Sequence, residues 1–230
     1  MIIRAVLFDA AETLFTTRGS VGEIYATVAR DYGSQVPPHV IQAAFVRHFR
    51  GAGPVSIEDQ KNWWKNVVYR VFNEVGMVPN FDQFFEKVYD RFRGSEGWTL
   101  FPETIDVLKD LKGRGLKLGL ISNFDTRVYS VLQSLGIRQF FDTVTLSSET
   151  GYCKPDPKIF EAAVQALRIP PPQILLVGDS LHDDVEAGSR AGLDDQATGV
   201  TDALLHIGCK RKESISVAFL CCGEAKRSAA

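Results

Sequence analysis

The stretch VLFDAAETLF, residues 6–15, decides the fold: an unbroken apolar run ends on a single aspartate, Asp9, and Thr13 follows four residues later. Two positions after Asp9 stands Ala11, and the next carboxylate is Glu12. With the residues before it, IIRAVLF at 2–8 reads as a short strand apolar on both faces, which predicts a strand inside a covered parallel sheet. Such a strand needs partners, and the next eighty residues do not offer them. VGEIYATVARDYG stops at a glycine, PPHVIQAAFVRHFR starts on proline, SIEDQKNWWKNVVYRVFNEVG runs from a serine cap to a glycine, and NFDQFFEKVYDRFR closes the block. Four helices and no strand are expected between residues 20 and 93.

From Phe101 helix and strand alternate. PETIDVLKDLKGRG precedes LKLGLIS, DTRVYSVLQSLGI precedes FDTVTLS, and PDPKIFEAAVQALRI precedes QILLVGD, with HDDVEAGSRAG as a further helix. This pattern predicts βαβ units and a parallel sheet with helices on both faces, joined by the first strand. The expected architecture is an α/β, Rossmann-like core with an all-helical cap inserted just after the Asp9 loop. The boundaries read as core at 1–16, cap at 17–97 and core at 98–230, with an atypical tail from about residue 200 in which SISVAFLCC is a candidate strand. In open α/β sheets ligands sit beyond the carboxyl ends of the strands, so the insert is placed to act as a lid.

Composition narrows the functions. With 230 residues, 45% of them hydrophobic, the chain can bury a core and a subdomain. Twenty-six basic residues against 28 acidic ones create no field to draw nucleic acid or an anionic membrane. No apolar run has the length of a membrane span or a signal peptide. Cys153, Cys209, Cys221 and Cys222 have neither metal-ligand spacing nor disulfide density. A soluble, cytoplasmic protein is expected, and its oligomeric state is not legible.

The polar residues at the strand ends carry the chemistry. Asp9 and Thr13 follow the first strand, Ser122 and Asn123 the second, Lys154 the third, and Asp179 and Asp184 the fourth. A parallel sheet brings all of them to one edge. A carboxylate can attack phosphorus if nearby positive charge offsets its repulsion from the phosphate, and Mg²⁺ with Lys154 would supply that charge. Asp9 and Asp179 suit Mg²⁺, which takes oxygen ligands. The hydroxyls of Ser122 and Thr13, with main-chain N–H groups, would hold the other phosphate oxygens. Asp184 would orient Lys154 or a metal-bound water.

Taken in order, FDAAETLF, LISNFD, KPDPKIF and VGDSLHDD resemble the four motifs of the haloacid dehalogenase-like (HAD) hydrolase superfamily. Within it, GEIYATVARDYG, NWWKNVV and ISNFDTR look most like the subgroup called haloacid dehalogenase-like hydrolase domain-containing protein three. The resemblance covers residues 2 to about 192. It implies Asp9 as covalent nucleophile, Ser122 and Lys154 at the phosphate, and Mg²⁺ held by Asp9, the Ala11 carbonyl and Asp179; Thr13 and Asn123 are further candidate substrate contacts, and Asp184 a further candidate metal ligand. The expected substrate is a small phosphorylated metabolite.

Phosphatases of this family usually carry an aspartate where Ala11 stands, which protonates the leaving alcohol. Losing such an acid typically costs about 10² to 10⁴ in rate. Four readings follow. Glu12 supplies the proton from the next position. Alternatively, Lys61 or Lys65 forms a Schiff base, as in the family's phosphonate hydrolases. A third reading is a dehalogenase, whose halide needs no proton, although Asp179 adds a charge that argues against it. In the last, the chain is a weakened homologue that binds a phosphorylated ligand or a protein through Trp63, Trp64, Phe84, Phe85 and Trp98; such residues more simply form the cap's core. His182 and Asp183 read as helix-start surface groups, and Arg127 as a partner for substrate, Asp125 or Asp142.

Overall fold

A computed structural model describes residues 2–52 and 59–197. The Ser56 helix cap, the SISVAFLCC strand and Cys209, Cys221 and Cys222 lie outside them. Strand β1 (Ala5–Phe8) is the centre of a five-stranded sheet with β4 (Lys117–Ser122), β5 (Thr143–Leu146), β6 (Ile174–Val177) and β7 (Asp194–Ala197), in the order β5-β4-β1-β6-β7, all parallel. Val6 pairs with Leu118 on one side and Leu175 on the other.

Alternation along the strands explains why they read as continuous apolar runs. Val6, Phe8, Leu118, Leu120, Leu175 and Val177 face one core, shared with α5 (Thr104–Gly113) and α6 (Arg127–Ser134). Ala5, Leu7, Ile121, Ile174 and Leu176 face the other, covered by α8 (Pro157–Leu167) and α9 (Ala187–Arg190). Burying each Leu, Val or Phe side chain contributes about 1.5–3 kcal/mol, which places most of the sheet's stability in β1 and its two neighbours.

The four expected helices are present as α1 (Val21–Arg30), α2 (Pro38–Arg50), α3 (Gln60–Val75) and α4 (Phe81–Arg91). Ser20 and Glu23 cap α1 reciprocally. Gly22 lets α2 approach closely: a Cβ there would lie 2.2 Å from the Pro38 carbonyl oxygen. The short helix α7 (Ser147–Thr150) follows β5.

Three features depart from the sequence reading. A two-stranded antiparallel ribbon, β2 (Phe15–Thr17) with β3 (Trp98–Leu100), joins the chain where it leaves for the helices to where it returns. The ring of Phe15 packs edge-on against Trp98 at 5.3 Å. The fifth strand, β7, was not expected because DDQA has no apolar run. The segment expected as one helix after Asp179 begins as a wide π-type turn, Leu181–Glu186, and becomes α-helical at Ala187. Side chains hold that turn: Ser180 Oγ accepts from the Asp183 N–H, and Asp184 Oδ2 from the Ser180 N–H, each at 3.1 Å.

Candidate active site

The sheet order reverses direction around β1, so the carboxyl ends of β1, β4 and β6 border one crevice. Asp9 leaves β1 there, anchored by its N–H to the Val177 carbonyl at 2.9 Å. Ser122 ends β4, and Asp179 follows β6 two residues after Val177.

Lys154 organises this edge. Its ammonium donates to Asp9 Oδ1 at 2.7 Å and to Asp184 Oδ1 at 2.6 Å, and all three side chains are buried. Burial alone would lower the lysine pKa; the Asp9 and Asp184 carboxylates outweigh it and hold the ammonium charged well above the ordinary range. Asn123 fixes the lysine's backbone from both sides, donating to the Lys154 carbonyl at 3.0 Å and accepting from the Lys154 N–H at 2.7 Å. Its side chain therefore positions Lys154, and it also lines the cavity. Gly178 makes room for Asp184, since a Cβ on it would lie 2.3 Å from the Asp184 carboxylate.

Ligand oxygens of Asp9, Asp179 and Asp184 lie within 4.8 Å of one another. Burial raises the Asp184 pKa against the pull of Lys154. Asp179 is the more open of the three, and partial burial followed by repulsion from Asp9 and Asp184 pushes its carboxyl up to about 6. Three carboxyl groups face one ammonium, an all-oxygen donor set with excess negative charge. That composition fits a hard divalent cation such as Mg²⁺.

The remaining predicted residues divide. Ser122 lines the cavity, and its hydroxyl makes no hydrogen bond among the described residues. Thr13 is buried with its hydroxyl turned to Asp9 Oδ2 at 3.4 Å, and it is not part of the cavity lining. Ala11 lines the cavity beside Asp9. Glu12 stands at the rim in a left-handed conformation (φ 62°), exposed, and accepts a 2.8 Å hydrogen bond from the Thr16 hydroxyl.

A cavity of about 520 Å³ extends from these groups into the helices α1–α4. Its far wall includes Tyr25, Phe45, Phe49, Trp64, Phe85 and Trp98. Arg127 borders it too, paired with Asp125 through Nε at 2.9 Å and Nη2 at 2.7 Å, so its partner is Asp125; Asp142 pairs with Lys112. Trp64 Nε1 donates to the same Asp125 at 2.5 Å, and Gln60 Oε1 accepts from the Thr126 hydroxyl at 2.8 Å, so α3 is tied to the segment after β4. Lys61 and Lys65 lie outside the cavity lining, paired with Glu86 and Asp82. His182 is exposed and pairs with Asp183, which reaches the cavity edge. Phe84 is fully buried core, and Trp63 donates to the Ala52 carbonyl. Sequence reasoning missed Tyr25, Phe45 and Phe49, because on α1 and α2 they repeat with the apolar residues of an ordinary packing face.

A parallel α/β core, helices inserted beyond its first strand, and an Asp–Lys–Asp cluster at the strand ends define the class of fold and site. Residues 3–192 match the family described as haloacid dehalogenase-like hydrolase, and the chain belongs to that family. It is 32% identical over 200 residues to the human haloacid dehalogenase-like hydrolase domain-containing protein 3, covering 83% of this chain and 80% of that one. It is 29% identical to a glyceraldehyde 3-phosphate phosphatase of Methanothermobacter thermautotrophicus, with 84% of each chain covered. In fold it resembles the HAD-hydrolase YfnB of Bacillus subtilis, solved with magnesium (TM-score 0.71, 20% identity, 90% of this chain and 99% of that one). Dehalogenases of the same fold are also among the similar structures, so fold alone does not choose the leaving group.

Proposed function

We propose that the chain is a Mg²⁺-dependent phosphatase of small phosphorylated compounds, acting through an aspartyl-phosphate on Asp9. The observation that carries this reading is the Lys154 ammonium bridging Asp9 and Asp184 with Asp179 alongside. Such a site is charged to hold a cation and a phosphate dianion together. Asp9, Asp179 and Asp184, with the Ala11 carbonyl, would hold Mg²⁺, which when bound offsets the charge of carboxylate and phosphate as they approach.

An Asp9 carboxylate oxygen attacks phosphorus, and the bond from phosphorus to the leaving oxygen breaks with its electron pair going to the leaving group. Ser122 donates to a non-transferred oxygen, and Lys154 faces the negative charge that spreads over the phosphoryl group. Water then attacks phosphorus, the bond from phosphorus to the Asp9 oxygen breaks with its electron pair returning to the carboxylate, and the water's proton passes to the released phosphate or to solvent. No carboxylate occupies position 11, and Glu12 is held by Thr16. We therefore expect leaving groups that depart without a proton, such as aryl or acyl phosphates. The similarity to a glyceraldehyde 3-phosphate phosphatase supports phosphate chemistry in this chain.

Other chemistries find less support. A 2-haloacid would bring its own carboxylate to three acidic groups, and the cations lining the cavity among the described residues, Lys154 and Arg127, are both ion-paired. The Schiff-base reading needs a free amine, and Lys61 and Lys65 are paired outside the cavity. Ala11 favours one second reading, a weakened homologue that binds a phosphorylated ligand without turning it over usefully. A cytoplasmic setting belongs to the same proposal, consistent with the free thiol of Cys153.

The test is a screen of phosphate esters and anhydrides with and without Mg²⁺, using Asp9→Asn as control. Phosphate release from aryl and acyl phosphates, lost with EDTA or in the variant, is the expected result. Equal rates on sugar phosphates would remove the leaving-group account, and chloride release from 2-chloropropionate would replace the phosphatase reading.

A further inference from the structure

We infer that the cap end of the cavity selects a flat, apolar leaving group carrying one hydrogen-bond acceptor, and that the Tyr25 hydroxyl reads that acceptor. This deepens the phosphatase reading and rests on it for the phosphate end.

The wall opposite the carboxylates is built for a planar guest. Phe45 and Phe49 stack at 5.3 Å, and Phe49 and Trp64 at 5.6 Å, each pair within 21° of parallel. Phe85 and Trp98 continue the lining. A volume of about 520 Å³ is in the usual range for a small-molecule site, roughly 300–1,000 Å³. The polar groups on this wall are mostly spent. Trp64 Nε1 donates to Asp125 and Trp98 Nε1 to the Phe92 carbonyl. Arg127 is neutralised by Asp125, and its guanidinium lies over the rings of Trp64 at 4.6 Å and Tyr89 at 4.5 Å. A polyol entering here would give up water at each hydroxyl with few replacements, whereas a ring would bury its faces against rings.

Tyr25 is the exception. It is 2% exposed, lines the cavity, and its hydroxyl makes no hydrogen bond among the described residues. Its ring is held edge-on by Phe45 and Phe92, both at 5.8 Å. Burial pushes the phenol far above its ordinary range, so it stays a donor at every working pH. Buried polar groups are almost always paired, and one left open beside a cavity is satisfied by what the cavity binds. Tyr89 also carries a phenol on this lining, but it is half-buried at the edge and solvent can serve it.

The test uses ligands that cannot be hydrolysed, so that binding is read separately from turnover. Calorimetric titration of the full chain with Mg²⁺ compares acetylphenyl phosphonate, phenyl phosphonate and a phosphonate analogue of a sugar phosphate. The expected order is that sequence, with about tenfold between aryl and sugar analogues. Tyr25→Phe should weaken acetylphenyl phosphonate by about three- to tenfold, the usual range for one neutral hydrogen bond, and leave phenyl phosphonate unchanged. It should not lower the melting temperature, because no internal bond is lost. Phe49→Leu, at a side chain exposed at 43%, should weaken both aryl ligands.

Equal affinity for sugar and aryl phosphonates would overturn the inference. So would a Tyr25→Phe effect equal on both aryl ligands, or a lowered melting temperature. Absence of ester hydrolysis with the binding order intact would refute the phosphatase reading alone. Hydrolysis indifferent to the leaving group, with no binding preference, would refute the inference and the leaving-group expectation while the phosphatase reading stands.

Discussion

Lys154 does at one position what the site needs from several: it holds Asp9 in place, offsets part of the carboxylate charge, and lines the carboxylate end of the cavity. Removing one partner of a buried ion pair leaves the other uncompensated and typically costs about 3–5 kcal/mol. Lys154→Met is therefore expected to destabilise the metal-free chain by that order, with part of the loss recovered on adding Mg²⁺. Thermal unfolding with and without the ion checks this, and an unchanged melting temperature would contradict it. Glu12 gives the opposite expectation. Because Glu12 is exposed and bonded to Thr16, Glu12→Gln should change kcat for an aryl phosphate by less than about threefold and leave both limbs of the pH–rate profile in place. A loss of 10² or more would reinstate it as the missing acid. Three of the four motifs were legible because each ends an apolar strand in a polar group, while Lys154 follows β5 only after the short helix α7 and was legible from the run KPDPKIF. Tyr25 was not, since its side chain sits on the apolar face of an amphipathic helix and only tertiary packing leaves its hydroxyl over a cavity.

Elements are placed by a few close contacts. Gly22→Ala would force a methyl group to within 2.2 Å of the Pro38 carbonyl oxygen, separating α1 from α2 and costing about 1–3 kcal/mol or more. Denaturant unfolding measures that loss. Asp142 ties three elements: its carboxylate accepts the Leu118 N–H of β4 at 2.8 Å and the Lys112 ammonium of α5 at 3.0 Å, just before β5. Its partial burial would raise the pKa, but those two donors prevail and hold it below the usual 3.8. A depressed carboxylate stabilises the fold above its unfolded value and loses that contribution as pH falls through the lowered one. Asp142→Asn should therefore melt below the parent chain at neutral pH, with the gap closing below about pH 4. Strands β1, β4 and β6 were legible because both faces are apolar. Strand β7 and the ribbon β2–β3 were not: DDQA is polar, and three-residue strands paired across the whole helical insert leave no periodic trace. The wide turn at Leu181–Glu186 escaped notice because side-chain hydrogen bonds from Ser180 and Asp184, not propensity, set its geometry.

At the scale of the whole molecule, two halves with different chemistry meet over one cavity. The sheet edge supplies carboxylates, an ammonium and a free hydroxyl, and the helices supply stacked rings. Trp64–Asp125 and Gln60–Thr126 hold the halves together at the cavity's side. The order of strands and helices made this arrangement readable in advance, since an insert leaving just after Asp9 has to stand over the strand ends. Which surface the insert presents depended on the packing of α1 to α4, and no local pattern encodes it. The account turns on covalent catalysis by Asp9 with a divalent cation. The most direct measurement is peptide mass spectrometry after reaction with phenyl phosphate, acid quenching and borohydride reduction, which converts an aspartyl phosphate to homoserine. The account predicts that conversion at residue 9 in the presence of Mg²⁺ and its absence with EDTA. Hydrolysis that proceeds with residue 9 unmodified, or undiminished without the metal, would contradict it.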